Sequence, residues 1–166
     1  SPLWEKYLSH WEVRILGTDV SRHMIRACRE GAYPASSFKA LDKTRRSVIQ
    51  QRFFEPAGER FVPKPALRQM ISHLHLNLLD EEGTSLFGDQ DVVLCRNVLM
   101  YFPPALRLQA IRGFFRKLVP EGYLLLGHSE NLLGIETPFD SMRLRNSLVY
   151  RKPSRDKAGE SGEWRY

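Results

Sequence analysis

Four clusters of polar residues stand immediately after short apolar runs: Asp19, Asn77-Leu78, Arg96-Asn97 and Gly127-His128-Ser129-Glu130. In open α/β sheets ligands bind beyond the carboxyl ends of the strands, so chemistry is expected at these four places. A carboxylate closing the second strand of a nucleotide-type fold can accept hydrogen bonds from both ribose hydroxyls, which is the use assigned here to Asp19. The alternative for Asp19 is local, as an N-cap for the helix starting at Ser21. His128, at a strand exit, is read as tying down a neighbouring loop by hydrogen bonds. His73 and His75 share a strand face by their spacing of two, yet no carboxylate or thiol nearby completes a ligand set, so no metal site is expected. Cys28 and Cys95 lie far apart and outside any C-x-x-C spacing, and read as reduced, structural thiols of a cytoplasmic protein.

The elements that would position these groups alternate between strand and helix. Val13-Arg14-Ile15-Leu16-Gly17-Thr18 is a short β-branched run ending on Asp19, followed by a helix over about Arg22 to Glu30 that Gly31 stops. Trp4 to Trp11 carries the spacing of a short helix before it, and Phe38 to Phe54 reads as another helix with a solvated charged face. Between Glu55 and Leu76, Arg60-Phe61-Val62 and Ile71 to Leu76 alternate as strands do, and a small hairpin inserted over 55–76 is expected. Asp91 to Asn97 is nearly continuous in apolar residues, the pattern of a central parallel strand covered on both faces. Pro103-Pro104 open a helix whose stripe is Leu106, Ala110, Ile111, Phe114, Phe115 and Leu118, with Pro120-Glu121-Gly122 as its exit and Tyr123 to Leu126 as the next strand. Phe139–Met142 and Ser147–Tyr150 form a closing antiparallel pair, and the polar residues 153–166 read as a flexible tail.

The 166 residues suit one domain with its own core, expected over 1–152. Apolar residues at 42% and charged residues at 27% exclude wholesale disorder, and no apolar run approaches the roughly 18 residues of a membrane span. The net charge of +6 permits nucleic acid or an acidic protein as partner without choosing between them.

The most specific string is Cys95-Arg96-Asn97-Val98-Leu99-Met100-Tyr101-Phe102. Together with Leu16-Gly17-Thr18-Asp19-Val20, Leu76-Asn77-Leu78-Leu79-Asp80 and Gly122-Tyr123-Leu124-Leu125-Leu126-Gly127-His128-Ser129-Glu130, in that order and spacing, it resembles the CheR family of chemotaxis-receptor glutamate methyltransferases. The likeness covers about Trp11 to Lys152. It implies an α/β, Rossmann-like sheet of the S-adenosylmethionine-dependent methyltransferase type with an antiparallel C-terminal hairpin. It also implies a cytoplasmic, bacterial signal-transduction enzyme that converts glutamates in the cytoplasmic domain of chemotaxis receptors to γ-methyl esters, leaving S-adenosylhomocysteine. By position, Asp19 matches the family's ribose carboxylate, Asn77 and Leu78 its adenine contacts, and Asn97 and Val98 further cofactor contacts. Arg96 and Tyr101 match the residues facing the methyl group and the incoming glutamate.

The residue types suit that chemistry. A glutamate is already ionised at neutral pH and needs no general base, so transfer depends on aligning its oxygen with a sulfonium methyl. An Arg fork holds a carboxylate in a fixed plane, and a Tyr hydroxyl fixes one oxygen. The family also carries a first strand and a Gly-containing loop ahead of the residues matching Trp11 to Asp19, and nothing here matches them. The chain is therefore expected to be an N-terminally incomplete piece of a longer enzyme, with the strands at Val13–Thr18 and Asp91–Cys95 losing the neighbour that would lie between them. The competing reading is a non-catalytic, cofactor-deficient module that binds acidic protein helices or nucleic acid through the basic surface. The aromatics fall at core spacings and do not favour nucleic acid.

Overall fold

The structure, a computed structural model, describes residues 10–85, 88–144 and 147–154, and it divides between Asn77 and Leu78 into two units. The helix expected over Trp4–Trp11 lies outside the described residues except for its last two positions, as does the tail beyond Ser154.

In the first unit, strand β1 (Ile15–Asp19) runs into helix α1 (Arg22–Glu30). The Ser21 hydroxyl accepts the Met24 N–H at 3.3 Å, satisfying one of the helix's open donors. Gly31, at φ 65°, donates its N–H to the Ala27 carbonyl and closes the other end in the left-handed conformation that costs glycine least. Residues Tyr33–Pro34 form the short β2, and a 3-10 turn over Ala35–Phe38 leads to helix α2 (Lys43–Phe53). Helix α2 is shorter than expected because Asp42 caps it, accepting the Arg45 N–H at 2.9 Å, while Phe38 turns into an edge-to-face aromatic cluster with Phe54 and Phe61.

The hairpin also differs from expectation. Strands β3 (Phe54–Ala57) and β4 (Arg60–Pro63) pair antiparallel around Gly58, at φ 61°, and β2 adds to the other side of β4. Ile71–His75, expected within the hairpin, is instead β5, following the short helix α3 (Pro65–Gln69) and lying parallel to β1 from Ile15 opposite Ile71 to Asp19 opposite His75. Alternation identifies a strand but not its partner. The other hairpin strand was hidden by Pro56, which β3 tolerates as an edge strand.

The second unit opens with the short helix α4 (Glu81–Ser85) and strand β6 (Gln90–Cys95). A 3-10 turn over Leu99–Tyr101 leads to helix α5 (Pro104–Lys117), with Pro104 in the first turn where its missing N–H costs nothing. Strand β7 (Leu118–Leu126) follows at once, then β8 (Asp140–Leu144) and β9 (Ser147–Arg151), in the sheet order β6-β7-β9-β8. β6 and β7 are parallel, the closing pairs antiparallel as expected. β7 begins five residues before the expected strand because Lys152 Nζ donates to the Phe115 and Leu118 carbonyls and ends α5 there.

Ala110, Ile111, Phe114 and Leu118 bury the expected stripe against Cys95, Leu99, Leu124, Leu132, Phe139 and Tyr150, while Leu106 remains largely exposed in the first turn. β6 is a correction to the central strand read from its apolar run. Among the described residues it has one ladder partner, β7, and Val92 and Leu94 are 49% and 69% exposed, so only one face is covered.

Candidate active site

Parallel pairing aligns strand ends, and in the first unit it sets Asp19 beside His75, with the Leu76 N–H donating to the Asp19 carbonyl at 3.0 Å. Asp19 and Asn77 therefore stand at the same carboxyl end of the β1/β5 ladder. The capping alternative for Asp19 is corrected by the geometry. Ser21 is the N-cap, and Asp19 Oδ1 accepts the Ser21 N–H at 2.7 Å, bracing the cap from two residues upstream with one of its carboxylate oxygens. His75 Nε2 lies 2.9 Å from the Val20 carbonyl and pins the same turn. The His73 ring sits against Gly17, where an added Cβ would lie 3.3 Å from the ring carbon Cδ2.

In the second unit, Cys95 opposite Leu126 brings Arg96–Tyr101 and Gly127–Glu130 to one end of the β6/β7 ladder. One side chain that sequence reasoning passed over organises this end. Glu130 Oε2 accepts the N–H groups of Asn97 at 2.7 Å and Gly127 at 2.9 Å, and Oε1 accepts those of Val98 at 2.9 Å and Met100 at 3.2 Å. Burial pushes this carboxyl up, but the four donors outweigh burial and hold it below the usual carboxylate range. Asn97 takes φ 59°, the left-handed conformation that asparagine tolerates better than most residues, and this turns successive N–H groups toward one anion. Gly127 has no room for a side chain, since a Cβ there would lie 2.5 Å from Glu130 Oε2 and 3.0 Å from the Asn97 nitrogen. Glu130 was visible in sequence only as the last letter of a strand-exit string. Three of its four partners are backbone amides 30 to 33 residues away, which carry no sequence signature.

The clamp fixes what the loop can offer. With its N–H group given to Glu130, Asn97 keeps an exposed side chain for other contacts, whereas the Val98 carbonyl accepts the Tyr101 N–H at 3.1 Å and its side chain packs against the core. Arg96 is exposed and forms no ion pair among the described residues, and Tyr101 is 76% exposed. Leu99 between them is buried and roots the segment in the core. The loop tie expected of His128 belongs to Glu130, and His128 is exposed. Cys95, beneath the clamp, has its thiol pushed up to about 12 by burial and by the negative charge of Glu130, so it is held as the neutral thiol. Leu78 is half-buried against the core of the second unit, and Asn77 is exposed.

The family described as "CheR methyltransferase, SAM binding domain" matches residues 3–148. The chain belongs to this family. Chemotaxis protein methyltransferase 1 of Vibrio cholerae is 36% identical over 141 residues, covering 84% of this chain and 49% of that protein. Chemotaxis protein methyltransferase 2 of the same organism is 30% identical over 164 residues, with 95% and 56% covered. Among solved structures, the N-methyltransferase NodS of Bradyrhizobium japonicum in complex with S-adenosylhomocysteine aligns at a TM-score of 0.49 and 17% identity, over 90% of this chain and 71% of that one. The chain spans about half the length of the curated relatives it matches. The α/β methyltransferase fold expected from the sequence strings is thus the fold of its family.

Proposed function

We propose that the chain is the catalytic part of an S-adenosylmethionine-dependent protein-glutamate O-methyltransferase acting in the cytoplasm on the cytoplasmic domains of chemotaxis receptors. The observation that carries this reading is the Arg96–Tyr101 segment. In a member of the CheR family, it holds an exposed guanidinium and an exposed phenol at the carboxyl end of a parallel strand pair, on a backbone fixed by four hydrogen bonds to Glu130. The names of the relatives support chemotaxis receptors as the methyl acceptors. The single family match across 3–148 supports one methyltransferase domain over 1–152.

The residues present fit the cofactor. Asp19 offers a carboxylate of which one oxygen is engaged, the acceptor that ribose hydroxyls require, and Asn77 is an exposed amide just past β5. Within the first unit, Asp19 and Asn77 are the residues assigned to the cofactor's ribose and adenine. When bound, S-adenosylmethionine supplies an electrophilic methyl on a positive sulfur. Arg96 orients the acceptor carboxylate in the plane of its fork, leaving one oxygen lone pair for attack, and Tyr101 donates its hydroxyl to fix that group. No side chain needs to remove a proton, because the acceptor is ionised at neutral pH. Tyr101 is so exposed that water exclusion falls to the incoming receptor surface.

In the full-length protein, Arg96→Ala and Tyr101→Phe should slow single-turnover methylation of receptor glutamates at saturating cofactor, with cofactor affinity and melting temperature nearly unchanged. Arg96→Lys should rescue poorly, since a point charge does not reproduce the planar fork. Full activity in both variants, or a loss accounted for by unfolding, would remove the assignment.

A further inference from the structure

We propose that Glu130 is a positioning residue for methyl transfer, a built-in anion that saturates the backbone amides of the 97–100 loop and so sets the placement of Arg96 and Tyr101. The proposal rests on the functional reading above and adds a residue to it.

Successive N–H groups turned to one side by a left-handed residue make a concavity that binds anions. Asn97 at φ 59° creates such a concavity from the amides of Asn97, Val98 and Met100. In an acidic-substrate enzyme an open nest of this kind would compete with Arg96 for the acceptor carboxylate and hold it out of line. Glu130 fills it. Each of its oxygens takes two donors, Oε2 from Asn97 and Gly127 and Oε1 from Val98 and Met100, which occupies the four acceptor sites of a carboxylate. An acceptor glutamate is then left to side chains alone.

The same bonds join the end of β6 to the end of β7, because Gly127 follows β7 directly and the other three donors follow β6. Arg96 precedes the first bonded amide by one residue, and Tyr101 follows the last by one. Both side chains thus spring from backbone whose freedom Glu130 removes, and Leu99, buried between them, fixes the loop's depth. No other residue type fits. Aspartate is one methylene short, and glutamine has one acceptor oxygen and would aim its amide hydrogens at two of the four donors.

The experiment compares full-length wild type with Glu130→Gln and Gly127→Ala. The second variant keeps the acid but places a Cβ 2.5 Å from Glu130 Oε2, so it displaces the carboxylate without removing charge. Two measurements are made on each variant at a temperature where circular dichroism shows it folded. One is amide hydrogen exchange at residues 97, 98, 100 and 127. The other is single-turnover methylation of a purified receptor cytoplasmic domain, separating kcat from KM. Both variants should exchange faster at those amides and lose on the order of 100-fold in kcat, the effect of misplacing reacting groups by about 1 Å, with acceptor KM changed less than about threefold. Faster exchange with kcat kept within about threefold of wild type would overturn the proposal and leave Glu130 as a structural tie only. Unprotected amides in the wild type would overturn the clamp itself. Absence of methyl transfer by the wild type would remove the functional reading and this assignment with it, while protected amides would still establish the clamp.

Discussion

Tyr150→Phe isolates one buried hydrogen bond in the second unit. The Tyr150 hydroxyl accepts the Leu132 N–H at 2.8 Å, and both residues are within 5% of complete burial. The ring itself packs edge-to-face on Phe139 at 6.4 Å between centroids, a contact that phenylalanine retains. The substitution therefore leaves no cavity larger than one oxygen and strips a buried donor of its acceptor. The cost of such an orphaned group is about 1–3 kcal/mol. Since about 1.4 kcal/mol is a factor of ten at 25 °C, global exchange at the fully buried Ile111 and Leu124 should accelerate by about 5- to 150-fold. Native-state hydrogen exchange is the appropriate assay because it reads the second unit through its own amides. Tyr123→Phe serves as the control. That side chain is exposed and should change stability by less than about 0.5 kcal/mol. An acceleration below about twofold in Tyr150→Phe would refute the reasoning, since it would mean that the Leu132 amide finds another acceptor at no cost.

Asp19→Ala in the full-length protein should weaken S-adenosylhomocysteine binding by about 1–3 kcal/mol in calorimetry, whereas Ser21→Ala should cost about 0.5–2 kcal/mol of stability and leave affinity intact. Equal behaviour of the two variants would show Asp19 to be a brace of the cap and nothing more. Cys95, held near pKa 12 by burial and by Glu130, should resist iodoacetamide in the folded chain, with a thiolate fraction at pH 8 of about one in ten thousand. Its contribution to stability is present below the unfolded thiol pKa of about 8.5 and is lost as pH rises toward 12. Alkylation as fast folded as unfolded at pH 8 would contradict it.

Helix α1 was legible to the residue, because Ser21 and Gly31 are punctuation whose physics is local. The parallel strand ends carrying Asp19 and Arg96 were legible for the same reason, each being an apolar run stopped by a polar residue. Pairing was not. Ile71–His75 alternates equally well as a hairpin arm and as the partner of β1, and only the chain's closure at Gly58 decides. The apolar run of β6 indicated a strand meant to be covered on both faces, a property of composition, while its present ladder is one-sided. At the site, Arg96, Asn97 and Tyr101 stood out by type and by the string that contains them. Glu130 did not, since what distinguishes it is four bonds to main-chain groups that every residue possesses.

The one-sided ladder of β6 has a consequence for how the chain behaves in a tube. Gln90 to Cys95 is a six-residue stretch rich in β-branched and aliphatic side chains, free of proline, and among the described residues it has no ladder partner along one margin. Such a margin templates a second copy, and because the joined copy presents the same margin again only when paired head to tail, growth need not stop at two. What holds this in check is charge at both ends of the stretch, Asp89 and Asp91 before the aliphatic residues and Arg96 after them. Refolding yield should therefore fall with protein concentration and with rising salt, and it is the two aspartates, far in role from any methyl transfer, that decide whether the folded chain can be concentrated at all.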